Sequence, residues 1–82
     1  MKIEVFGPGC AKCAGSVDVA RAFLSARGLV GEVVKHTDLE TMTTRGVVRT
    51  PTTMIDGETI VEGRMLRQAD LERWLAQHSD RS

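Results

Sequence analysis

The sequence predicts a single α/β domain in which a four-stranded mixed sheet is flanked by helices. Segments that alternate polar and apolar side chains, as strands do, are interleaved with segments that have the apolar spacing of helices. The predicted order is strand, helix, strand, short helix, strand, strand, helix. A strand–helix–strand unit makes its two strands parallel, whereas a hairpin adds antiparallel strands. The chain has 82 residues, so we expect residues 1–82 to form one domain.

The first three elements follow from hydrophobic spacing. Residues 2–6 alternate polar and apolar side chains and predict a strand, which a Gly-Pro-Gly run ends. Residues 11–26 predict an amphipathic helix with Gly28 as its C-terminal cap. Residues 31–37 are centred on two valines and predict a short second strand. The apolar stripe of the helix is formed by Cys13, Val17, Ala20, Phe23 and Leu24.

A β-hairpin is predicted in the second half of the chain. Residues 52–55 and 59–61 are rich in β-branched side chains, which favour strands. Asp56 and Gly57 lie between them, and this pair suits a tight turn in which both central residues have positive φ.

Two further helices complete the fold. A short helix is predicted over residues 39–45, capped at its start by Thr37 or Asp38. The helical spacing of apolar residues over 71–78 predicts the last helix, with Trp74 in the core.

The composition excludes several classes of protein. Eleven basic residues balance eleven acidic ones, so the net charge is 0 and a nucleic-acid binder is not expected. The hydrophobic fraction of 41% is too high for a disordered chain. No apolar run is long enough to span a membrane. The first nine residues lack the apolar segment of a signal peptide, so we expect a cytoplasmic location and no membrane partner.

The two cysteines, Cys10 and Cys13, point to redox chemistry or to metal binding. A bridge between them closes so small a loop that it adds little chain-entropy stabilisation. Cys10 is predicted just before a helix, where free backbone N–H groups and the helix dipole stabilise a thiolate, and Lys12 adds a positive charge. Cys13 is one helical turn further, within reach for a disulfide. An exposed thiolate with a second thiol in reach is what two-step thiol–disulfide exchange requires.

Two motifs resemble those of a known family. Residues 6–13 read Phe-Gly-Pro-Gly-Cys-Ala-Lys-Cys and resemble the active-site loop of small thioredoxin-like proteins. Residues 46–52 read Gly-Val-Val-Arg-Thr-Pro-Thr and resemble the second thioredoxin signature. The chain is most similar to the short redox-active-disulfide proteins of prokaryotes, over residues 2–78. This resemblance implies a thioredoxin fold.

The resemblance also implies a function and the role of each site residue. Cys10 is expected to be the attacking nucleophile and Cys13 the resolving thiol of a thiol–disulfide oxidoreductase. Pro51 is expected to be a cis-proline whose loop faces the cysteines, and the Thr50 backbone to pair with an extended substrate. The substrate is expected to be a protein or small-molecule disulfide, with a separate reductase as electron donor. Because the cysteines are themselves the redox centre, no cofactor is expected.

The sequence departs from thioredoxin proper at three places. Gly9 takes the place of a tryptophan, and Ala-Lys replaces Gly-Pro between the cysteines. No buried acid is expected beneath the pair, because Glu4 is predicted to face outward.

Other interpretations of the sequence remain open. The rival function is a non-enzymatic Cu(I)-type binding module that uses the same two cysteines. A carrier domain of the ferredoxin-like type would end on a strand, whereas this chain is predicted to end on a helix. His36 and His78 lack a neighbouring ligand and are predicted to be solvated or packing residues rather than metal ligands. Four arginines are predicted to form a solvated surface: Arg45, Arg49, Arg64 and Arg67.

Overall fold

The computed structural model describes residues 1–7 and 11–79, apart from the side chains of residues 11–13 and 78–79. Within these residues there are four strands and three helices. The strands are β1 (Lys2–Phe6), β2 (Glu32–His36), β3 (Thr52–Ile55) and β4 (Glu58–Glu62). The helices are α1 (Ala11–Arg27), α2 (Leu39–Thr44) and α3 (Gln68–Ser79).

The strands form one mixed sheet in the order β2-β1-β3-β4. β1 pairs in parallel with β2 and antiparallel with β3, and β3 pairs antiparallel with β4. The four-stranded mixed sheet and the order of the elements, both predicted from the sequence, are therefore confirmed.

Local signals in the sequence set the turns and the caps. Asp56 and Gly57 have φ of 50° and 85°, as the predicted hairpin turn requires. Asp38, and not Thr37, caps α2, because its carboxylate accepts the Thr41 N–H at 3.1 Å.

One face of the sheet is covered by α1 and α3. Ile3 of β1 and Ile55 of β3 are fully buried there, and Leu71 and Trp74 of α3 pack in the same cluster. Trp74 is only 8% exposed, so its predicted place in the core is confirmed. α1 adds the residues of its apolar stripe Ala20, Phe23 and Leu24.

The opposite face is covered by α2. Successive side chains of a strand point to opposite faces, so Phe6 lies on the face that Ile3 does not share. Phe6 packs with Met42 of α2 and Met54 of β3. The sheet is therefore buried on both faces, although the second face is covered only by a six-residue helix.

The start of α3 differs from the prediction, because the helix begins at Gln68 rather than at residue 71. The Asp70 carboxylate accepts the backbone N–H of Arg67 at 2.9 Å, which caps the helix one turn earlier than its apolar spacing indicates. None of the described helices is long and apolar enough to cross a membrane.

Candidate redox site

Of the predicted redox pair, Cys10 belongs to the connection between β1 and α1, and Cys13 to the first turn of α1. Cys10 lies outside the described residues, and so do the side chains of Lys12 and Cys13. The backbone of α1 is described from Ala11, the residue after Cys10. The described part of the site consists of the first turns of α1 and two loops. These are the proline loop (residues 47–51) and the β4–α3 loop (residues 63–67).

The proline loop is held on both sides of Thr50. The Thr50–Pro51 peptide bond is cis, with Pro51 buried and Thr50 exposed. The Thr52 hydroxyl donates a hydrogen bond to the Arg49 carbonyl, and the Gly63 N–H donates one to the Pro51 carbonyl at 2.9 Å. The backbone N–H and C=O of Thr50 have no partner in the part of the chain that the structure describes. The N–H and C=O of Thr50, an exposed residue in a fixed loop, thus form a backbone edge with which an extended segment could pair.

The β4–α3 loop fastens the proline loop to α1. The Leu66 N–H donates to the Ser16 hydroxyl at 2.9 Å, and this bond is buried. Met65 lies directly on Gly15, since a Cβ at Gly15 would come within 2.6 Å of the Met65 sulfur. A side chain at Gly15 would therefore displace Met65, which is a physical reason for glycine inside this helix.

An ion pair anchors the β4–α3 loop to α3. Arg64 donates two hydrogen bonds to the Asp70 carboxylate, at 2.8 and 2.9 Å. These bonds outweigh the burial of Asp70 and hold the pKa of its carboxyl below the usual range. The side chain of Arg64 is 42% exposed, as expected of a surface residue, but its guanidinium also neutralises a carboxylate whose side chain is 2% exposed, a partner that the sequence did not reveal.

A second ion pair with a buried carboxylate lies on the α2 face of the sheet. Arg45 donates to both oxygens of Glu4, at 2.8 and 2.9 Å, and His36 Nε2 lies 2.9 Å from the same carboxylate. Hydrogen bonding by Arg45, supported by His36, lowers the pKa of Glu4 to about 2 in spite of burial. The His36 ring also stacks on Phe6, with centroids 4.6 Å apart.

The structure corrects two predictions at this pair. Glu4 does not face outward: it is 3% exposed, because α2 covers the face of the sheet on which its side chain lies. Arg45 is likewise not a solvated residue but the partner of Glu4. His36 packs as predicted, whereas the side chain of His78 lies outside the described residues. Among the described residues there is no group of three side chains suited to hold a metal ion.

The proline loop and the β4–α3 loop expose apolar side chains. Val48 is 82% exposed and Met65 is 40% exposed. Arg49, the neighbour of both Val48 and Thr50, is also exposed. Its guanidinium makes no ion pair or hydrogen bond with any described residue. Of the four arginines predicted to be solvated, Arg49 and Arg67 are exposed as expected.

The sequence analysis did not predict that the β4–α3 loop fastens the proline loop to α1, although two signals in the sequence point to this loop. A glycine inside a helical pattern, such as Gly15, indicates that another segment approaches the helix closely. An acid three residues after a helix start, such as Asp70 after Arg67, indicates a side-chain cap.

Comparison with known proteins identifies the family. The family described as "Thioredoxin domain" matches residues 1–76. A thioredoxin of Methanothermobacter thermautotrophicus is 28% identical over 76 residues, which cover 93% of this chain and 99% of that protein.

The fold agrees with a solved thioredoxin structure. Thioredoxin 1 of Thermosipho africanus superimposes with a TM-score of 0.58 at 21% identity, over 96% of this chain and 99% of that one. The thioredoxin fold predicted from the two motifs is thereby confirmed. Since the family match spans nearly the whole sequence, the chain belongs to the thioredoxin domain family.

Proposed function

We propose that the protein is a thiol–disulfide oxidoreductase that uses Cys10 and Cys13 as a redox-active dithiol. The observation that carries this proposal is the backbone of Thr50, an exposed residue whose N–H and C=O have no partner among residues 1–7 and 11–79, in a loop fastened to the first turns of α1. Two cysteines at the start of that helix can attack a disulfide, and the Thr50 backbone can align it. Thioredoxin relatives in sequence and fold support the same activity.

The start of α1 favours Cys10 as the nucleophile. The helix runs from Ala11 to Arg27 and has no acidic residue in its first turn. Free N–H groups and the dipole at a helix start stabilise an anion, and Lys12 adds a positive charge. We expect these effects to lower the pKa of the Cys10 thiol below that of a free cysteine.

The proposed reaction transfers two electrons in two exchanges. The Cys10 thiolate attacks one sulfur of the substrate disulfide; a Cys10–substrate disulfide forms as the substrate bond breaks and releases the first thiolate. Cys13, as a thiolate, then attacks the Cys10 sulfur, forms the Cys10–Cys13 disulfide and releases the second substrate thiolate. The released thiolates take up protons from water. The substrate is reduced and the protein dithiol is oxidised.

The remaining parts of the cycle follow from this chemistry. Thr50 would pair through its N–H and C=O with an extended segment of a protein substrate, and Pro51 would hold that edge in place. No cofactor is needed, because the electrons are carried by the two sulfurs. A separate reductase must return the disulfide to the dithiol, and a cytoplasmic setting suits a protein that works in the reduced state.

The proposal is tested by substituting each cysteine. The parent, reduced beforehand and freed of reductant, should reduce insulin, and it should react with the neutral aromatic disulfide 2,2′-dithiodipyridine faster than free cysteine does at neutral pH. Cys10→Ser should lose insulin reduction and should react with 2,2′-dithiodipyridine no faster than free cysteine, because only Cys13 remains. Cys13→Ser should still react once but should accumulate as a mixed disulfide with insulin, detectable by mass spectrometry.

Two results would overturn the proposal. One is a Cys13→Ser variant that turns over as fast as the parent, because the resolving step would then be absent. The other is a parent that does not reduce insulin, reacts with 2,2′-dithiodipyridine no faster than free cysteine and binds Cu(I) through both cysteines, as a metal-binding module would.

A further inference from the structure

Arg49 is placed beside the exposed backbone edge of the proline loop. Its carbonyl is held by the Thr52 hydroxyl, so its main chain is fixed. A Cβ at Gly63 would lie 3.4 Å from Arg49 Cδ and 3.7 Å from Arg49 Cβ. The stem of the arginine thus occupies the side of Gly63 on which a Cβ would lie, and Gly63 is the residue whose N–H holds Pro51. The position of this side chain is set at its base, and its charged end remains exposed.

The charge of Arg49 is not neutralised within the described residues. Arg45 faces Glu4, Arg64 faces Asp70 and Arg27 faces Glu72, all within 3.4 Å. Arg49 has no such carboxylate, and Glu62, at the end of β4, makes no ion pair with it. A cation that is held only at the base of its side chain, and that has no carboxylate partner among the described residues, is available to a carboxylate on a bound molecule.

A carboxylate on a substrate segment that pairs with Thr50 would lie within reach of the Arg49 guanidinium. Side chains on paired strands lie about 5 Å apart when directly opposite and about 7–8 Å apart on the diagonal, a span that an arginine covers. An extended segment that pairs with Thr50 would therefore carry side chains past Arg49. Exposed Val48 and Met65 would contact apolar neighbours in the same segment.

We propose that Arg49 is a specificity-determining residue that selects protein disulfides with an acidic side chain within about two residues of the attacked cysteine. This inference rests on the proposed function, because it assumes that the substrate pairs with Thr50. An exposed ion pair contributes little, so the preference should amount to about two- to fivefold in kcat/KM. The contact is made in the bound substrate as well as in the transition state, so KM should change and kcat should not.

The test uses two disulfide peptides that differ only in one residue beside the cysteine, glutamate in one and lysine in the other. The parent should prefer the glutamate peptide at low salt. Arg49→Gln should remove the preference through KM, and Arg49→Glu should invert it. High salt should weaken the parent's preference, because salt screens exposed charges. Arg21→Gln, which removes an exposed arginine of α1 instead, should leave the preference unchanged.

The outcomes separate this inference from the proposed function. If insulin is reduced but the parent treats both peptides alike, Arg49 has no selective role and only the inference fails. The same conclusion follows if Arg49→Gln keeps the parent's preference, or if Arg21→Gln removes it equally. If insulin is not reduced and 2,2′-dithiodipyridine reacts no faster than with free cysteine, the proposed function fails and the inference with it.

Discussion

The guanidinium of Arg45, at the end of α2, donates hydrogen bonds of 2.8 and 2.9 Å to the two carboxylate oxygens of Glu4 on β1. The two residues are 41 positions apart in the chain, so the pair ties α2 to the centre of the sheet. Arg45 also lies over the Phe6 ring at 5.3 Å. A helix of six residues has little intrinsic stability, and this pair supplies a contact that fixes it in place.

The first prediction is that Glu4 makes stability depend on pH. Its pKa is lowered from 4.5 to about 2 in the folded protein, chiefly by Arg45. A carboxylate with a lowered folded pKa contributes stability above its unfolded pKa and loses that contribution as pH falls. The contribution, about 3 kcal/mol at neutral pH, should disappear between pH 4.5 and pH 2.

Urea unfolding of the parent and of Glu4→Gln at several pH values measures this contribution. The parent should be more stable at pH 7, and the two curves should converge as pH approaches 2. A difference that stays constant from pH 7 to pH 2.5 would show that ionisation of Glu4 is not the source of the stability.

The burial of Glu4 is a feature of this structure that could not be predicted from the sequence, whereas the secondary-structure elements could. The elements and the hairpin turn at Asp56 and Gly57 follow from local spacing and turn chemistry, and they were predicted. The alternation of β1 places Ile3 and Val5 on one face of the sheet, which is predicted to be buried. Glu4 lies on the other face, and the sequence does not show which element covers that face. That cover comes from α2, which has only Met42 buried and therefore no recognisable apolar stripe.

The site could be predicted only in part for a similar reason. The cysteines and the Thr-Pro motif are local patterns that the resemblance made visible. The bond from Leu66 to Ser16 joins residues 50 positions apart, and no spacing rule predicts it. The contacts that hold the proline loop to α1 are tertiary contacts, which only the fold creates.

The second prediction is an energetic coupling between Gly15 and Met65. Gly15→Ala alone gains up to about 1 kcal/mol of helix propensity but must displace the Met65 sulfur, since a Cβ would lie 2.6 Å from it. In a Met65→Ala background the obstruction is absent, so the same change should be stabilising. Because that sulfur is near the end of a flexible and exposed side chain, a double-mutant cycle by thermal or urea unfolding should give a coupling of about 0.5–1 kcal/mol. Simple additivity of the two changes would contradict the contact.

The third prediction compares an ion pair that has one buried partner with a pair in which both partners are exposed. Asp70→Ala removes the partner of Arg64 and the cap of α3, and should cost about 1.5–3 kcal/mol. Glu72→Ala removes only an exposed contact to Arg27 at 3.4 Å and should cost less than about 1 kcal/mol. Asp70→Asn should fall between them, because an amide oxygen can still accept the Arg67 N–H. Unfolding free energies measured in urea should follow this order, and equal costs for Asp70→Ala and Glu72→Ala would refute it.

The fourth prediction concerns two adjacent buried threonines, for which the same substitution should have opposite effects. Thr53 is fully buried, and its hydroxyl has no hydrogen-bond partner in the described part of the chain. Burying an unsatisfied hydroxyl costs about 1–3 kcal/mol, so Thr53→Val should stabilise the protein by about 1 kcal/mol. Thr52 is buried as well, but its hydroxyl donates to the Arg49 carbonyl.

Thr52→Val should therefore destabilise the protein by about 1–2 kcal/mol, because it leaves a carbonyl of the proline loop without its donor. Both substitutions replace a hydroxyl by a methyl group in the same strand, so differences in volume and strand preference cancel in the comparison. Urea unfolding of the two variants beside the parent gives the signs directly. If Thr53→Val were destabilising by as much as Thr52→Val, the Thr53 hydroxyl would have a partner in the folded protein. If Thr52→Val were neutral, its bond to Arg49 would not hold the proline loop, and the fixed position of Arg49 beside Thr50 would lose one of its two supports.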